Sequence, residues 1–303
     1  MLAPKTGQLF TRLPFYPQSR ALVGRLNPLA RHVRDGGGLP DVLGQVGTLE
    51  VRLARTTKDI RRAQRLRYKV FFEEMGATPS PRARLSRRDI DAYDRLCDHL
   101  LVIDRVGKIN RFGKPKPKVI GTYRLLRSDV AKAAGADFYT AGEYDLSALL
   151  DAHPGARLLE LGRSCVLAPY RSKRALELLW SGLWRYIAHH RIDLMFGCAS
   201  FEGVVPAQHA LALSFLHHYA SAPAGQSAVA HRWNHHDMDL MPKEAVDPKA
   251  ALRALPPLIK GYLKVGARFG QGAVVDRPFG TTDVFVAVRV KDIDPRYLNH
   301  YAN

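Results

Sequence analysis

Leu158-Leu159-Glu160-Leu161-Gly162-Arg163-Ser164-Cys165-Val166-Leu167 is the stretch on which the reading of this chain turns. Its run of apolar residues, closed by Ala168-Pro169, reads as a strand in the middle of a sheet. Two charged residues stand inside it. On a regular strand Glu160 and Arg163 face opposite sides. A carboxylate in mid-sheet is costly unless it is paired or used. Either Glu160 forms a structural ion pair with an arginine such as Arg124, or it serves chemistry. Carboxylates of perturbed acidity gather at active sites, which favours chemistry.

Working outward, residues 172–190 carry Leu176, Leu179, Trp180, Leu183, Trp184 and Ile187 at helical spacing. A strand is expected over 194–201, a helix over 206–219, and a helix over 252–265 with Pro256-Pro257 near its first turn. Residues 274–275 and 284–290 close the chain as strands, while 220–248 look irregular and polar. Upstream, Leu49, Val51 and Leu53 alternate as in a half-buried strand. Thr56 followed by Asp59 starts a helix running to Phe72. Residues 77–97 read as a polar connection. Residues 99–103 and 119–126 form a hairpin whose tip, 108–118, holds Lys108, Arg111, Lys114, Lys116 and Lys118. This order predicts an α/β (α+β) domain over 47–303: a mixed, partly antiparallel central sheet flanked by helices, with a C-terminal helix–strand extension. Residues 1–46 have six basic residues against two acidic ones and end near Gly36-Gly37-Gly38, which reads as a flexible basic leader.

Over 303 residues, hydrophobic content of 46% and charged content of 24% exclude a disordered or collagen-like chain. Forty-six Lys and Arg against 28 Asp and Glu leave a net charge of +18, which calls for an acidic partner. Cys97, Cys165 and Cys198 make an odd set without CxxC spacing, so neither a disulfide framework nor a cysteine metal site is expected. With no apolar run long enough to span a bilayer, the expectation is a cytoplasmic protein, at most peripheral to the inner membrane. GxGxxG and GxxxxGK[ST] are both missing from the sequence, which removes the usual nucleotide-binding readings.

Further charged residues sit in apolar surroundings: Arg67 in Arg67-Tyr68-Lys69-Val70-Phe71-Phe72, Arg124 in Gly121-Thr122-Tyr123-Arg124-Leu125-Leu126, and the acidic set Asp89, Asp91 and Asp94. Together they offer carboxylates for an ammonium group and arginines for a carboxylate, the complement of a zwitterionic amino acid.

With these residues in view, Arg67-x-x-Val70-Phe71, Asp91-x-x-Asp94, Gly121-x-x-Arg124 and Glu160-x-x-Arg163 resemble the acyl-homoserine-lactone autoinducer synthases, a GNAT-like family. Residues 159–167, 195–201, 213–218, 255–262 and 281–284 resemble more closely their relatives, the ornithine N-acyltransferases. The resemblance runs from about 49 to 290. It implies a GNAT-like fold and transfer of a 3-hydroxyacyl chain from acyl carrier protein to the α-amine of ornithine, with no resident cofactor or metal. That chemistry needs a proton acceptor, an oxyanion donor and a place for the acyl chain. Glu160 is the expected base, next to Arg163, although Asp91 or Asp94 could fill that role or bind the side-chain ammonium. Arg67, Asp91, Asp94 and Arg124 are the expected substrate-binding set. The backbone N–H groups of Cys165 and Val166 are candidate oxyanion donors. Arg171, Lys173 and Arg174 would meet the phosphopantetheine or the acidic carrier at a helix start. The Q/R-x-x-G-x-G/A loop of coenzyme A users is replaced there by Arg171-Ser172-Lys173-Arg174-Ala175-Leu176, which disfavours coenzyme A.

Rival readings remain. His99 and Asp104 match the HxxxxD spacing of glycerolipid acyltransferases, but five residues apart on a strand they face opposite sides. The pairs His189-His190, His217-His218 and His235-His236 suggest metal, yet neighbouring histidines on one element point apart, so none is expected. A basic nucleic-acid-binding protein would use the 108–118 tip, but no nucleic-acid-reading motif accompanies it, so no nucleic acid is expected. Acylation of another amino acid, or autoinducer synthesis from S-adenosylmethionine, is the alternative within enzymes.

Overall fold

The computed structural model of the protein describes residues 38–109, 111–171, 173–294 and 296–297. Most of the expected leader, 1–37, lies outside them. Its last residues belong to the domain: Leu39 and Leu43 are buried, and β1 (Gly44–Val46) pairs antiparallel with β2 (Leu49–Leu53).

Eight further strands complete the sheet: β3 (Asp98–Ile109), β4 (Pro115–Arg127), β5 (Tyr144–Asp145), β6 (Leu158–Val166), β7 (Leu194–Glu202), β8 (Val229–Ala230), β9 (Arg268–Asp276) and β10 (Thr281–Arg289). Across it the order is β1-β2-β3-β4-β6-β7-β10-β9-β8-β5, and among the strands of the described residues β6–β7 and β8–β9 are the parallel pairs. The C-terminal hairpin is thus no appendage: β10 lies against β7 along its whole length. The expected 108–118 turn is mostly strand as well, since β3 and β4 run on into it.

The helices are α1 (Thr57–Tyr68), α2 (Pro81–Ser86), α3 (Ser128–Ala134), α4 (Ser147–Asp151), α5 (Lys173–His190), α6 (Ala210–Ala220), α7 (Pro248–Ala254) and α8 (Pro257–Lys264). Thr56 caps α1 by accepting from the Asp59 N–H at 3.1 Å. The reciprocal half of the cap is absent, because the Asp59 carboxylate is taken by Arg52. Helix α1 stops at Tyr68 and widens into a π-helical turn, Lys69–Glu74, short of the simple helix expected to Phe72. The helix expected over 252–265 is two helices broken at Leu255-Pro256: a residue before proline is driven out of the helical region, and Pro257 opens α8.

Opposite faces of this sheet carry different residues. Helices α5 and α8 cover one face, where Gly182 of α5 rests on Val51 and Leu100 and the Tyr123 hydroxyl meets that of Tyr262. The fully buried Leu100, Leu125, Phe196, Phe201 and Phe285 anchor the sheet, each contributing about 1.5–3 kcal/mol. The other face, under α1, presents His99, Thr122, Arg124, Glu160, Cys165, Cys198, Ser200 and Asp283, which the strand registers align with one another.

Between β6 and β7 the sheet opens. These strands pair only over Leu158–Leu161 against Leu194–Gly197. Gly197 makes the last pairing possible, since a Cβ there would lie 2.3 Å from the Leu161 carbonyl oxygen. Past it, 162–166 stay with β4 and 198–202 stay with β10, leaving a wedge between them.

Candidate active site

One lip of the wedge is a β-bulge. Thr122 pairs with Cys165 but Arg124 pairs with Gly162, so β6 carries one residue too many. Arg163 takes up the excess with φ of +54°, a left-handed conformation costly for a side chain other than glycine. The bulge changes the expected geometry: Arg163 swings to the face of Glu160 rather than the opposite one, and both touch Tyr139. The Arg163 guanidinium donates to the Tyr139 hydroxyl at 3.1 Å and stacks 4.5 Å from the Phe279 ring centroid.

Behind this lip the acidic set and the arginines pair with one another. Arg67, with no exposed surface, reaches Asp89 at 2.8 Å through Nε and Asp94 at 2.8 Å through its Nη2. Arg124 pairs with Asp91 and stands 3.5 Å from Asp94. Arg163 Nε lies 3.4 Å from Asp89, and its Nη2 is 3.7 Å from Asp91. Asp91 and Asp94 also form a reciprocal capping box at the 3-10 turn Ala92–Arg95, which, with α2, gives the expected polar connection helical turns of its own. Burial alone would raise Asp91, but Arg124, Arg163 and Arg67 outweigh it and hold the carboxyl far below the usual carboxylate range. Of the six, Asp91 and Arg163 keep the most open side chains, 20% and 14% exposed. Arg67, Asp94 and Arg124 are sealed, and Arg67 has no path to a ligand except through its partners.

Among the described residues, Glu160 has neither Arg124 nor any other ion partner in hydrogen-bond contact. Its two oxygens accept the backbone N–H groups of Tyr139 and Thr140, at 2.9 and 2.6 Å. Burial raises its pKa and these two donors temper the rise. They also fix the 3-10 turn Tyr139–Gly142, which sits beside the wedge.

At the end of β6, Leu167 N–H donates to Ile120 on β4. By alternation along the strand, the Val166 N–H points away from β4 into the wedge, and that of Cys165 points to β4. The thiol of Cys165 is pushed up to about 12 by burial, which leaves it neutral. Arg171 is tied down, donating to the Val166 carbonyl at 3.0 Å and pairing with Glu74 at 2.7 Å, whereas Lys173 and Arg174 stand exposed at the start of α5.

Across the wedge lies a group that the sequence reading did not single out. Glu143 follows the Tyr139–Gly142 turn, Asp276 ends β9 and Asp283 lies in β10, and their carboxylate oxygens come within 4.8 Å of one another. Burial, reinforced by mutual repulsion, pushes Glu143 up to about 8 and Asp283 up to about 7. Asp283 could have been found as Glu160 was, as a carboxylate entering an apolar strand; Glu143 carries no local signal.

The decoys separate cleanly from this region. His99 donates to the Asp94 carbonyl at 3.2 Å, and burial followed by the Arg67 charge pushes it down to about 4; Asp104 accepts from Tyr170 instead. One expectation fails: His217 and His218 do converge, both within 3.9 Å of Asp239, because each reaches around the exposed end of α6. The His218 Nε2 is also engaged by the Met241 carbonyl at 2.9 Å.

A mixed sheet wedged open between two parallel strands, with a buried carboxylate and a strained arginine on its central strand, defines a GNAT-type acyltransferase. Residues 66–181 match the acetyltransferase (GNAT) domain family. The chain is 53% identical to the L-ornithine N(alpha)-acyltransferase of Rhizobium meliloti (strain 1021), over 86% of each chain. It is 50% identical to the enzyme of that name from Agrobacterium fabrum (strain C58 / ATCC 33970), over 91% of this chain and 92% of that one. For the enzyme from Brucella abortus (strain 2308) the identity is 51%, over 86% of this chain and 91% of the relative. The chain belongs to the L-ornithine N(alpha)-acyltransferase family.

Proposed function

We propose that this protein transfers a 3-hydroxyacyl chain from acyl carrier protein to the α-amine of L-ornithine, the first step of ornithine lipid synthesis. The observation that carries this reading is the wedge between β6 and β7, with the Val166 N–H turned into it and Arg163 at its lip. A thioester lying in the wedge has its carbonyl oxygen beside the Val166 N–H, a donor aimed where negative charge develops. The acyl chain leaves toward the α5 face, where Tyr123, Ser164, Trp180 and Leu258 line an apolar crevice. Amino acid approaches from the opposite face, its carboxylate held by Arg163 and its α-nitrogen facing Asp91 and Glu160. Arg67, Asp94 and Arg124 position those groups without touching substrate.

In the reaction the α-amine nitrogen attacks the thioester carbonyl carbon. The C–N bond forms, the C–S bond breaks, and the carrier's thiolate leaves and takes up a proton. Glu160 accepts the proton from the α-ammonium through water: its backbone donors leave a lone pair on each oxygen, and burial, by raising its pKa, makes it a stronger base than a solvated glutamate. Exposed Lys173 and Arg174, within a chain of net charge +18, offer point charges to the acidic carrier.

Mass spectrometry tests this. Pure protein is incubated with 3-hydroxyacyl carrier protein and a panel of amino acids. N-acyl-ornithine is the expected product; a folded protein that acylates only another amino acid, or none, contradicts the reading.

A further inference from the structure

The charges on the two sides of the wedge are arranged differently. On the β4–β6 side each aspartate has an arginine. On the β7–β10–β9 side, Glu143, Asp276 and Asp283 face one another with no basic side chain in ion-pair contact among the described residues. Their other partners are weak or local: the Cys198 thiol lies 3.4 Å from Glu143, the Phe279 N–H donates to Asp276 at 3.1 Å, and the Ser200 and Thr281 hydroxyls are neutral neighbours of Asp283. Arg163, across the wedge, is near enough to draw all three pKa values down without pairing any.

A second observation is independent of the carboxylates' closeness. Thr281 and Asp283 are 6% and 7% exposed, yet the Thr281 hydroxyl and Asp283 Oδ1 close no hydrogen bond of good geometry, although the Ser200 and Thr281 hydroxyls lie near enough to ease the Asp283 charge. Thr281 stands directly opposite Asp276 and two residues from Asp283 on the same face, so its hydroxyl is aimed into the cluster. Two buried polar groups left open beside three repelling acids are expensive to keep unless something fills the space. A cation with several hydrogens to donate would satisfy all of them.

Position identifies which cation. Asp283 lies opposite Ser200, one strand beyond the wedge, and Asp276 lies one strand further. At about 4.8 Å per strand, the cluster is roughly 5–10 Å from the lip at which the acyl group is transferred. That is too far for the amine that reacts, and within reach of an amine three methylenes away.

We infer that Glu143, Asp276, Asp283 and the Thr281 hydroxyl form the subsite for the side-chain ammonium of the acceptor, and so select a diamino acid over one with an apolar side chain. The inference rests on the proposed function and names the acceptor-selecting part of that site. Arg163 at one lip and the acids at the other then hold the α-carboxylate and the distal ammonium, leaving the α-amine at the thioester. A buried carboxylate stripped of its charge loses the ammonium's partner while keeping the side chain's shape.

The test compares ornithine with 2-aminopentanoate, the same chain without the distal amine, in the wild-type protein and in Asp283→Asn. Wild-type acylation of ornithine, on its own, upholds the proposed function, so failure of the subsite is read separately from the ratio of kcat/KM for the two acceptors. That ratio is expected to fall by about tenfold or more in Asp283→Asn, through KM for ornithine rather than kcat. An unchanged ratio, or an equal loss with both acceptors, overturns the inference. So does activity toward ornithine that EDTA abolishes and a divalent metal restores, because the acids would then hold a metal ion. Glu143→Gln supplies the same ratio independently if Asp283→Asn does not fold.

Discussion

The two lips of the wedge hold similar numbers of buried carboxylates and treat them in opposite ways. Asp89, Asp91 and Asp94 are matched by Arg67, Arg124 and Arg163, and Asp91 has its pKa held far below the usual carboxylate range. Glu143 and Asp283 have no such matches and are pushed up to about 8 and about 7. One set is complete within the protein; the other becomes complete when a cation arrives. Buried charge that is fully paired holds backbone in place, and buried charge left unpaired reserves a place for ligand.

The largest effect is expected from breaking the matched side. Arg67→Met should destabilise the fold by about 3–5 kcal/mol, read from denaturant melts, because it strands Asp89 and Asp94 as buried, unpaired acids. Glu160→Gln comes next: turnover should fall by about 10²–10⁴-fold with its pH dependence altered, if Glu160 takes the proton. An unchanged rate and pH profile would make Glu160 only the anchor of the Tyr139–Gly142 turn.

The unmatched side should respond in the opposite sense. Burial and the neighbouring acids raise the Asp283 pKa to about 7 in the folded state, so between about pH 4 and 7 the folded protein holds a proton that the unfolded chain has released. Its contribution to stability is therefore fully present below the unfolded pKa of about 4 and is lost as pH rises from there through about 7. Asp283→Asn should accordingly melt higher than the parent at pH 8, by an amount on the order of 1 kcal/mol or more, with the gap narrowing at pH 5. The KM for ornithine should fall from pH 6 to pH 8.5 as the cluster ionises, and this trend should flatten in the variant. The smallest change belongs to a site remote from both lips: Thr56→Ala removes the cap of α1 at a cost of about 1 kcal/mol and should leave the pH profile alone.

Much of the frame could be read from the residues. The apolar run around Glu160 is a central strand, and the helix after it and the strands beside it lie within a few residues of expectation. Family resemblance located the same motifs on the same strands. Tertiary pairing was not legible. Arg67 and Asp94 are 27 residues apart and Arg124 and Asp91 are 33 apart, so nothing local distinguishes an acid waiting for substrate from one already claimed by an arginine. The Arg163 bulge was hidden for a related reason, since a regular strand was the only geometry the alternation could suggest. Residues 128–157 gave no pattern because their helices α3 and α4 are short, and they carry Tyr139 and Glu143 into the site. Asp276 and Asp283 sat in plain strands, and only the fold brings them to Glu143.

Carboxyl-detected NMR of the ¹³C-labelled protein, titrated from pH 5 to pH 9 with and without ornithine, tests the contrast between the lips most directly. Two carboxyls assigned to Glu143 and Asp283 should titrate near pH 7–8 in the free protein and shift to lower pH when ornithine is bound, while Asp91 and Asp94 stay ionised throughout. Midpoints below pH 5 for Glu143 and Asp283, or midpoints that saturating ornithine leaves unmoved, would contradict the account.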